Sequence, residues 1–251
     1  MTKPEIEIRE VTTVEELAAC VQLQREVFAS PDLEISPVRH LIVTRQAGGW
    51  TLGAFAGGAL VGFVLSVPMF RAGGERAFYS HMTAVREEFQ NYGIGARLKW
   101  AQRERALLEG INFIKWTYQP VQARNAFFNL ERLGVSVKTY MPNFYGTDYS
   151  TSAEQNEIIG LDSDRLFAEW QLDSPKVLVL SKGEKFVETE KVALTIEIPN
   201  HWNNLVTANP EKAIAEQTRI KQEFQKAFAG GLICKGFERN ETSPRYLLFE
   251  E

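Results

Sequence analysis

Ser80 to Leu98 reads SHMTAVREEFQNYGIGARL, and this stretch decides the fold. Ser80 to Val85 has the composition of a strand, an acidic turn follows, and the loop QNYGIGA (Gln90 to Ala96) opens directly into a helix. Free backbone amides at the positive end of a helix suit a phosphate, and two glycines let a diphosphate approach without side chains in between.

The flanks extend the pattern. Upstream, EIEIREV (5 to 11) alternates like a half-buried strand, and Thr13 with Glu16 forms a capping box before an amphipathic helix over 14 to 29, ended near Pro31. SPVRHLIVTRQ has the composition of a second short helix, whose Arg39, His40 and Arg45 either line a pocket or face water. Residues 50 to 56 and 59 to 68 make a hairpin around Gly57 and Gly58, and Ala77 to Val85 is the next strand. Downstream, a helix over 94 to 109 with Ile94, Leu98, Ala101 and Leu108 on one stripe leads to a strand in INFIKWTYQP. A strand, a crossover helix and a strand predict parallel neighbours around Met82 and Ile114. A helix over 122 to 133 stopped by Gly134, a strand over 135 to 140, a loop over 142 to 149, surface over 150 to 160 and a strand over 165 to 172 follow.

Asp173 to Pro175 marks a boundary. Beyond it, KVLVL and VALTIEI are expected as strands, then a helix capped by Asn209 with Pro210 first, then strands at LICKGFE and RYLLFE. The expected organisation is therefore a domain over 1 to 172 and a ββαββ extension over 173 to 251 packed on it, since such a short unit is marginal alone.

A net charge of -4 makes a nucleic-acid partner unexpected, because phosphate backbones need clustered Lys and Arg. No apolar run approaches the roughly 20 residues of a bilayer span, so a cytoplasmic protein without a membrane partner is expected. Cys20 and Cys234 read as buried thiols, and His40, His81 and His201 lack metal spacing, so no metal is expected.

Residues 5 to 172 resemble the GNAT superfamily, the GCN5-related N-acetyltransferases, whose signature Q/R-x-x-G-x-G/A stands here as Gln90, Asn91, Tyr92, Gly93, Ile94, Gly95, Ala96. A second piece, WTYQPVQARNAFFNLERLG, resembles the family's other acyl-CoA motif and ends in Gly134 and Val135. The resemblance includes a branch with a C-terminal extension. It implies a mixed α/β sheet of six to seven strands, splayed at its centre and flanked by helices, and acetyl-CoA or another acyl-CoA as co-substrate. It further implies that Thr83, Ala84 and Val85 hold the pantetheine arm and thioester, that Tyr92 to Ala96 take the diphosphate, and that Asn125 and Phe128 complete the cofactor site. A backbone amide near Ala84 or Val85 would stabilise the developing oxyanion.

By the same resemblance, His81 occupies the position of a base histidine in some members; the alternative is a histidine satisfied within the sheet. Leu130 stands where many relatives carry an acid tyrosine, which leaves Tyr118, Tyr140, Tyr145 or water to protonate the thiolate. The implied activity is acyl transfer to a primary amine of a small molecule or amino acid. The other reading is a silent acyl-CoA-binding sensor, and the extension leaves room for a homodimer. The Asp162, Asp164 and Arg165 cluster is either an acceptor site or a loop-to-strand junction.

Overall fold

A computed structural model describes residues 5–28, 32–148 and 160–251. The expected surface over 150 to 160 thus falls, apart from the exposed Gly160, outside the described residues. The chain divides into two compact units, residues 1–115 with Gln171–Asp173 and residues 116–170 with Ser174–Glu251.

The first unit contains β1 (Glu7–Glu10), α1 (Val14–Phe28), α2 (Val38–Gln46), β2 (Trp50–Ala56), β3 (Ala59–Phe70), β4 (Arg76–Val85), α3 (Ile94–Leu108) and the start of β5 (Phe113–Tyr118). Its strands lie in the order β1-β2-β3-β4-β5. The capping box forms as the sequence predicts: the Glu16 amide donates to Thr13 Oγ1 at 3.2 Å and the Thr13 amide to Glu16 Oε2 at 3.3 Å. Strands β1 to β4 are antiparallel to their neighbours, whereas β4 and β5 are parallel. The parallel register is Phe78 with Ile114 and Tyr79 with Lys115, four residues earlier on β4 than Met82.

Alternation on β3 separates two packing layers. Phe63 and Leu65 join Leu17, Cys20, Leu23 and Leu41 in the core under α1 and α2. Gly62 and Ser66 face α3. The stripe on α3 differs from expectation, because Leu108 is 83% exposed while Lys99, Gln102 and Arg103 are buried beside Ile94, Leu98 and Ala106. These polar groups are satisfied: Lys99 Nζ donates to Ser80 Oγ at 3.0 Å and to Gln102 Oε1 at 2.6 Å, Gln102 Nε2 to Ser66 Oγ at 2.8 Å, and Arg103 Nε to the Leu172 carbonyl at 2.9 Å. Burial pushes the Lys99 pKa well down, which favours the neutral amine.

The second unit continues β5 and holds α4 (Ala123–Phe127), running into a π-helical turn over Phe128–Leu133, then β6 (Tyr140–Met141), β7 (Thr147–Asp148), β8 (Leu161–Asp162) and β9 (Arg165–Gln171). Strands β9 and β6 follow β5 in the sheet, which makes seven strands in all, and β7 pairs with β8. The expected strand over 135 to 140 is a correction. Ser136 and Val137 bridge two different partners, Glu169 and Cys234, so a continuous ladder cannot form and only Tyr140 and Met141 pair as a strand. Asp164 accepts from Tyr140 Oη at 2.7 Å and the Asn143 amide at 2.8 Å, and Asp162 pairs with Lys221 at 3.0 Å. That cluster is a loop-to-strand junction.

After Ser174 come α5 (Pro175–Ser181), β10 (Leu194–Glu197), α6 (Trp202–Ala208), α7 (Pro210–Ala229), β11 (Leu232–Glu238) and β12 (Arg245–Glu250). The extension is therefore αβααββ, not ββαββ. KVLVL is helical because Ser174 Oγ caps the Val177 amide and Pro175 supplies the first-turn φ, which outweigh β-branched composition over so short a run. The longer helix begins as expected, with Asn209 Oδ1 accepting from the Lys212 amide at 3.0 Å. It packs Ala213, Ile220 and Phe224 inward, and Phe224 meets Tyr246 edge-on at 5.0 Å. Ile214 on the same helix is 44% exposed. The sheet order β10-β12-β11 places the last strand in the middle.

Gly62 sets how closely β3 approaches its neighbours. A Cβ there would lie 3.0 Å from the Ala84 carbonyl and 3.3 Å from the Leu98 and Val85 side chains. Gly62→Val is expected to destabilise the protein by about 1–3 kcal/mol through overpacking, read as a lower urea midpoint with unchanged far-ultraviolet dichroism.

Candidate functional site

The loop between β4 and α3 has the backbone that the glycine pattern implies. A 3-10 turn over Glu87–Phe89 is followed by Asn91 at φ 66° and Gly93 at φ 77°, both left-handed, and Gly93 is the N-cap of α3. A side chain at Gly93 would meet no atom within 4 Å, so glycine is required there by φ and not by crowding. Left-handed residues before a helix turn successive amides toward one point, and the first turn of α3 adds amides with no intrahelical acceptor. Gln90 Nε2 donates to the Val85 carbonyl at 3.1 Å, which ties the loop to the end of β4. Tyr92, Gly95 and Ala96 are partly exposed on this loop and first turn, while Ile94 anchors it in the core.

Strand β4 is irregular where it carries His81. Leu65 pairs with Met82 but the next residue, Ser66, pairs with Ser80, so His81 is the extra residue of a β-bulge. The bulge turns two consecutive side chains toward α1 and α2. Met82 packs on the core beneath them, and His81 Nε2 lies 3.4 Å from Ser36 Oγ with its ring stacked on His40, centroids 6.2 Å apart. Thr83, Ala84 and Val85 then resume pairing with β3 at Val64, Phe63 and Gly62.

Ser36 is held in place by a residue of α1. Its amide donates to Gln24 Oε1 at 2.9 Å and its carbonyl accepts from Gln24 Nε2 at 3.2 Å. Gln24 is buried on the inward face of α1 beside Leu17, Cys20 and Val21. A glutamine on such a face is the signal for a backbone it must satisfy. The His81 ring keeps an exposed edge, yet the atoms packed around it strip hydration from the imidazolium, and His40 adds a like charge. Desolvation is the larger cause, and both hold the pKa below 6.5.

On the other side of His40, a shallow cleft of about 500 Å³ lies between α2 and β3. Its floor is apolar, from Val43, Ala47, Val67 and Pro68, and Arg39, His40 and Thr44 complete the lining. Of the three basic residues singled out in α2, Arg45 is occupied elsewhere, donating to the Thr12 carbonyl at 2.6 Å.

In the second unit, Tyr118 is buried, and burial raises its hydroxyl pKa well above 10.0. Tyr140 is buried on Asp164 and likewise raised. Tyr145 is 61% exposed, its hydroxyl 3.3 Å from Thr117 Oγ1. Asn125 is exposed on α4 and Phe128 is half-buried at the start of the π-helical turn. Among the described residues no helix is long and apolar enough to cross a membrane.

In a proton NMR titration, His81 is expected to titrate at a midpoint below 6.5, the reference value for a histidine side chain. His40→Ala removes the like charge and should move that midpoint upward, whereas an unmoved or lowered midpoint would contradict the coupling.

The acetyltransferase (GNAT) family model matches residues 15–134. Among solved structures, yncA from Salmonella typhimurium with its cofactor acetyl-CoA aligns at 17% identity over 68% of this chain and 95% of that one, TM-score 0.55. An N-acetyltransferase from Staphylococcus aureus Mu50 aligns at 11% identity over 67% and 99%, TM-score 0.54. The ribosomal-protein-S18-alanine N-acetyltransferase from Escherichia coli aligns at 14% identity over 68% and 96%, TM-score 0.52. No curated protein matches the chain significantly. The match runs from α1 to the end of the π-helical turn, so residues 15–134 are similar to the acetyltransferase (GNAT) family.

Proposed function

We propose that this protein moves an acyl group, acetyl foremost, from coenzyme A to a primary amine of a small molecule or amino acid by direct attack. The observation that carries the reading is the left-handed loop at the start of α3, tied through Gln90 to a β4 strand whose bulge presents His81. Its backbone suits the diphosphate of acyl-CoA. Amides from Tyr92 to Ala96 hold that group, the backbone of Thr83 to Val85 holds the pantetheine arm and thioester, and Asn125 and Phe128 add contacts to the cofactor.

His81 serves as base. The amine nitrogen bonds to the thioester carbon, the carbon–sulfur bond breaks, the amine's proton passes to Nε2, and the thiolate takes a proton from Tyr145, Tyr118 or water. Tyr145 is the better donor of the two tyrosines because its hydroxyl reaches solvent, whereas a proton leaving Tyr118 would strand a buried phenolate. A backbone amide near Ala84 or Val85 steadies the carbonyl oxygen as charge develops on it. We assign catalysis to residues 1–172 and treat 173–251 as an extension, with a homodimer and a cytoplasmic setting as parts of the same proposal.

His81→Ala is expected to lower kcat by about 10²–10⁴-fold in a thiol-release assay with acetyl-CoA and a panel of amines, while calorimetric affinity for acetyl-CoA holds. Wild-type kcat/KM should rise through an apparent pKa below 6.5, because the free-base imidazole is the active form and its pKa is depressed. Binding of acetyl-CoA with no transfer to any amine would make the protein a silent binder instead.

A further inference from the structure

Arg39 is unlike the other arginines around this site. Arg9 pairs with Glu16 at 2.6 Å, Arg86 with Glu26 at 3.1 Å, Arg71 with Glu75 at 2.8 Å, and Arg97 donates to the Ile6 carbonyl at 2.7 Å. Arg39 makes no ion pair or hydrogen bond with any described residue, and it lines the cleft whose floor is Val43, Ala47, Val67 and Pro68. A guanidinium is always charged and presents a planar fork that fits a carboxylate. An apolar floor with one free guanidinium calls for a ligand that is apolar along its body and anionic at one end.

The same cleft is joined to the base. His40 lines it, directly after Arg39 in α2, and its ring stacks on His81 at 6.2 Å. Arg39 and His40 thus share one cleft lining, and the His40 ring links that lining to the ring of His81. A chain of several methylenes matches the apolar floor that runs beside Arg39 and His40.

We infer that the acceptor is a primary amine joined through an apolar chain to a carboxylate, which Arg39 holds while the amine faces His81. The inference rests on the acyl-transfer reading and adds the class of acceptor. Thiol release is measured with acetyl-CoA and 4-aminobutanoate, 6-aminohexanoate and 8-aminooctanoate, each beside the alkylamine of equal length. The expected wild-type result is a kcat/KM at least about tenfold higher for the carboxylate partner at the six- or eight-carbon length, the size of one charge-assisted pair. In Arg39→Ala that ratio should fall to near one through KM, and Arg39→Lys should recover part of it, which general damage to the fold would not do. Transfer to alkylamines as good as to their carboxylate partners, or a ratio that survives Arg39→Ala, overturns the acceptor assignment and leaves acyl transfer standing. No transfer to any probe overturns both.

Discussion

Strand β4 is held along one edge almost throughout and along the other at two residues. Its antiparallel ladder with β3 runs from Arg76 to Val85, while among the described residues its parallel ladder with β5 pairs Phe78 with Ile114 and Tyr79 with Lys115. A strand released on one edge after its second pair has backbone to offer a ligand, and the extended arm of an acyl-CoA is such a ligand. It must also be kept from collapsing, because an unpaired strand edge is free to bend or to pair wrongly. The bulge at His81, the Gln90 bond at its end and the packing of Gly62 against Ala84 are the means by which this edge keeps its course.

Beneath the bulge lies a polar layer that a purely apolar core would not need. Ser80, the residue before His81, accepts from Lys99, which also donates to Gln102, which in turn donates to Ser66 on β3. A charged ammonium taken from water into such a site would cost several kcal/mol even after relaxation, so burial favours the neutral form of Lys99, whose nitrogen donates to Ser80 and Gln102. Directional bonds to Ser80 and Ser66 fix the register of two strands on either side of the bulge, which methyl contacts do less sharply. On the opposite face Gln24 does the corresponding work for Ser36. The two amides thus pin the surroundings of His81 from both layers of the first unit.

Sequence was most informative where chemistry left few options. QNYGIGA demands left-handed backbone before a helix, and Asn91 and Gly93 adopt it. Cap residues at Thr13 and Asn209 act as their types require. Sequence misled where a short apolar run had two uses. KVLVL is β-rich by composition, yet one serine oxygen and one proline ring ahead of it are worth more than the preference of five side chains. Residues 135 to 140 have strand composition but are divided between partners far apart in the chain, which no local pattern can show. On α3, apolar spacing pointed to Leu108, while burial went to Lys99, Gln102 and Arg103, because serines on β3 and β4 had already made that layer polar.

The depressed pKa of His81 bears on what a base can do here. An alkylammonium loses its proton near pH 10, so at neutral pH the attacking free amine is scarce, and a weak imidazole base does not change that equilibrium. What it can do is remain uncharged and ready. Desolvation favours the free imidazole of His81, and in the proposed transfer it would accept the proton that becomes acidic only as the nitrogen bonds to carbon. At that stage a nitrogen already carrying positive charge needs a modest acceptor, and a strong one would arrive protonated. Desolvation around the bulge therefore works against basicity and for availability. The stacked His40 reinforces that choice, since positive charge on its ring 6.2 Å away disfavours the imidazolium form of His81.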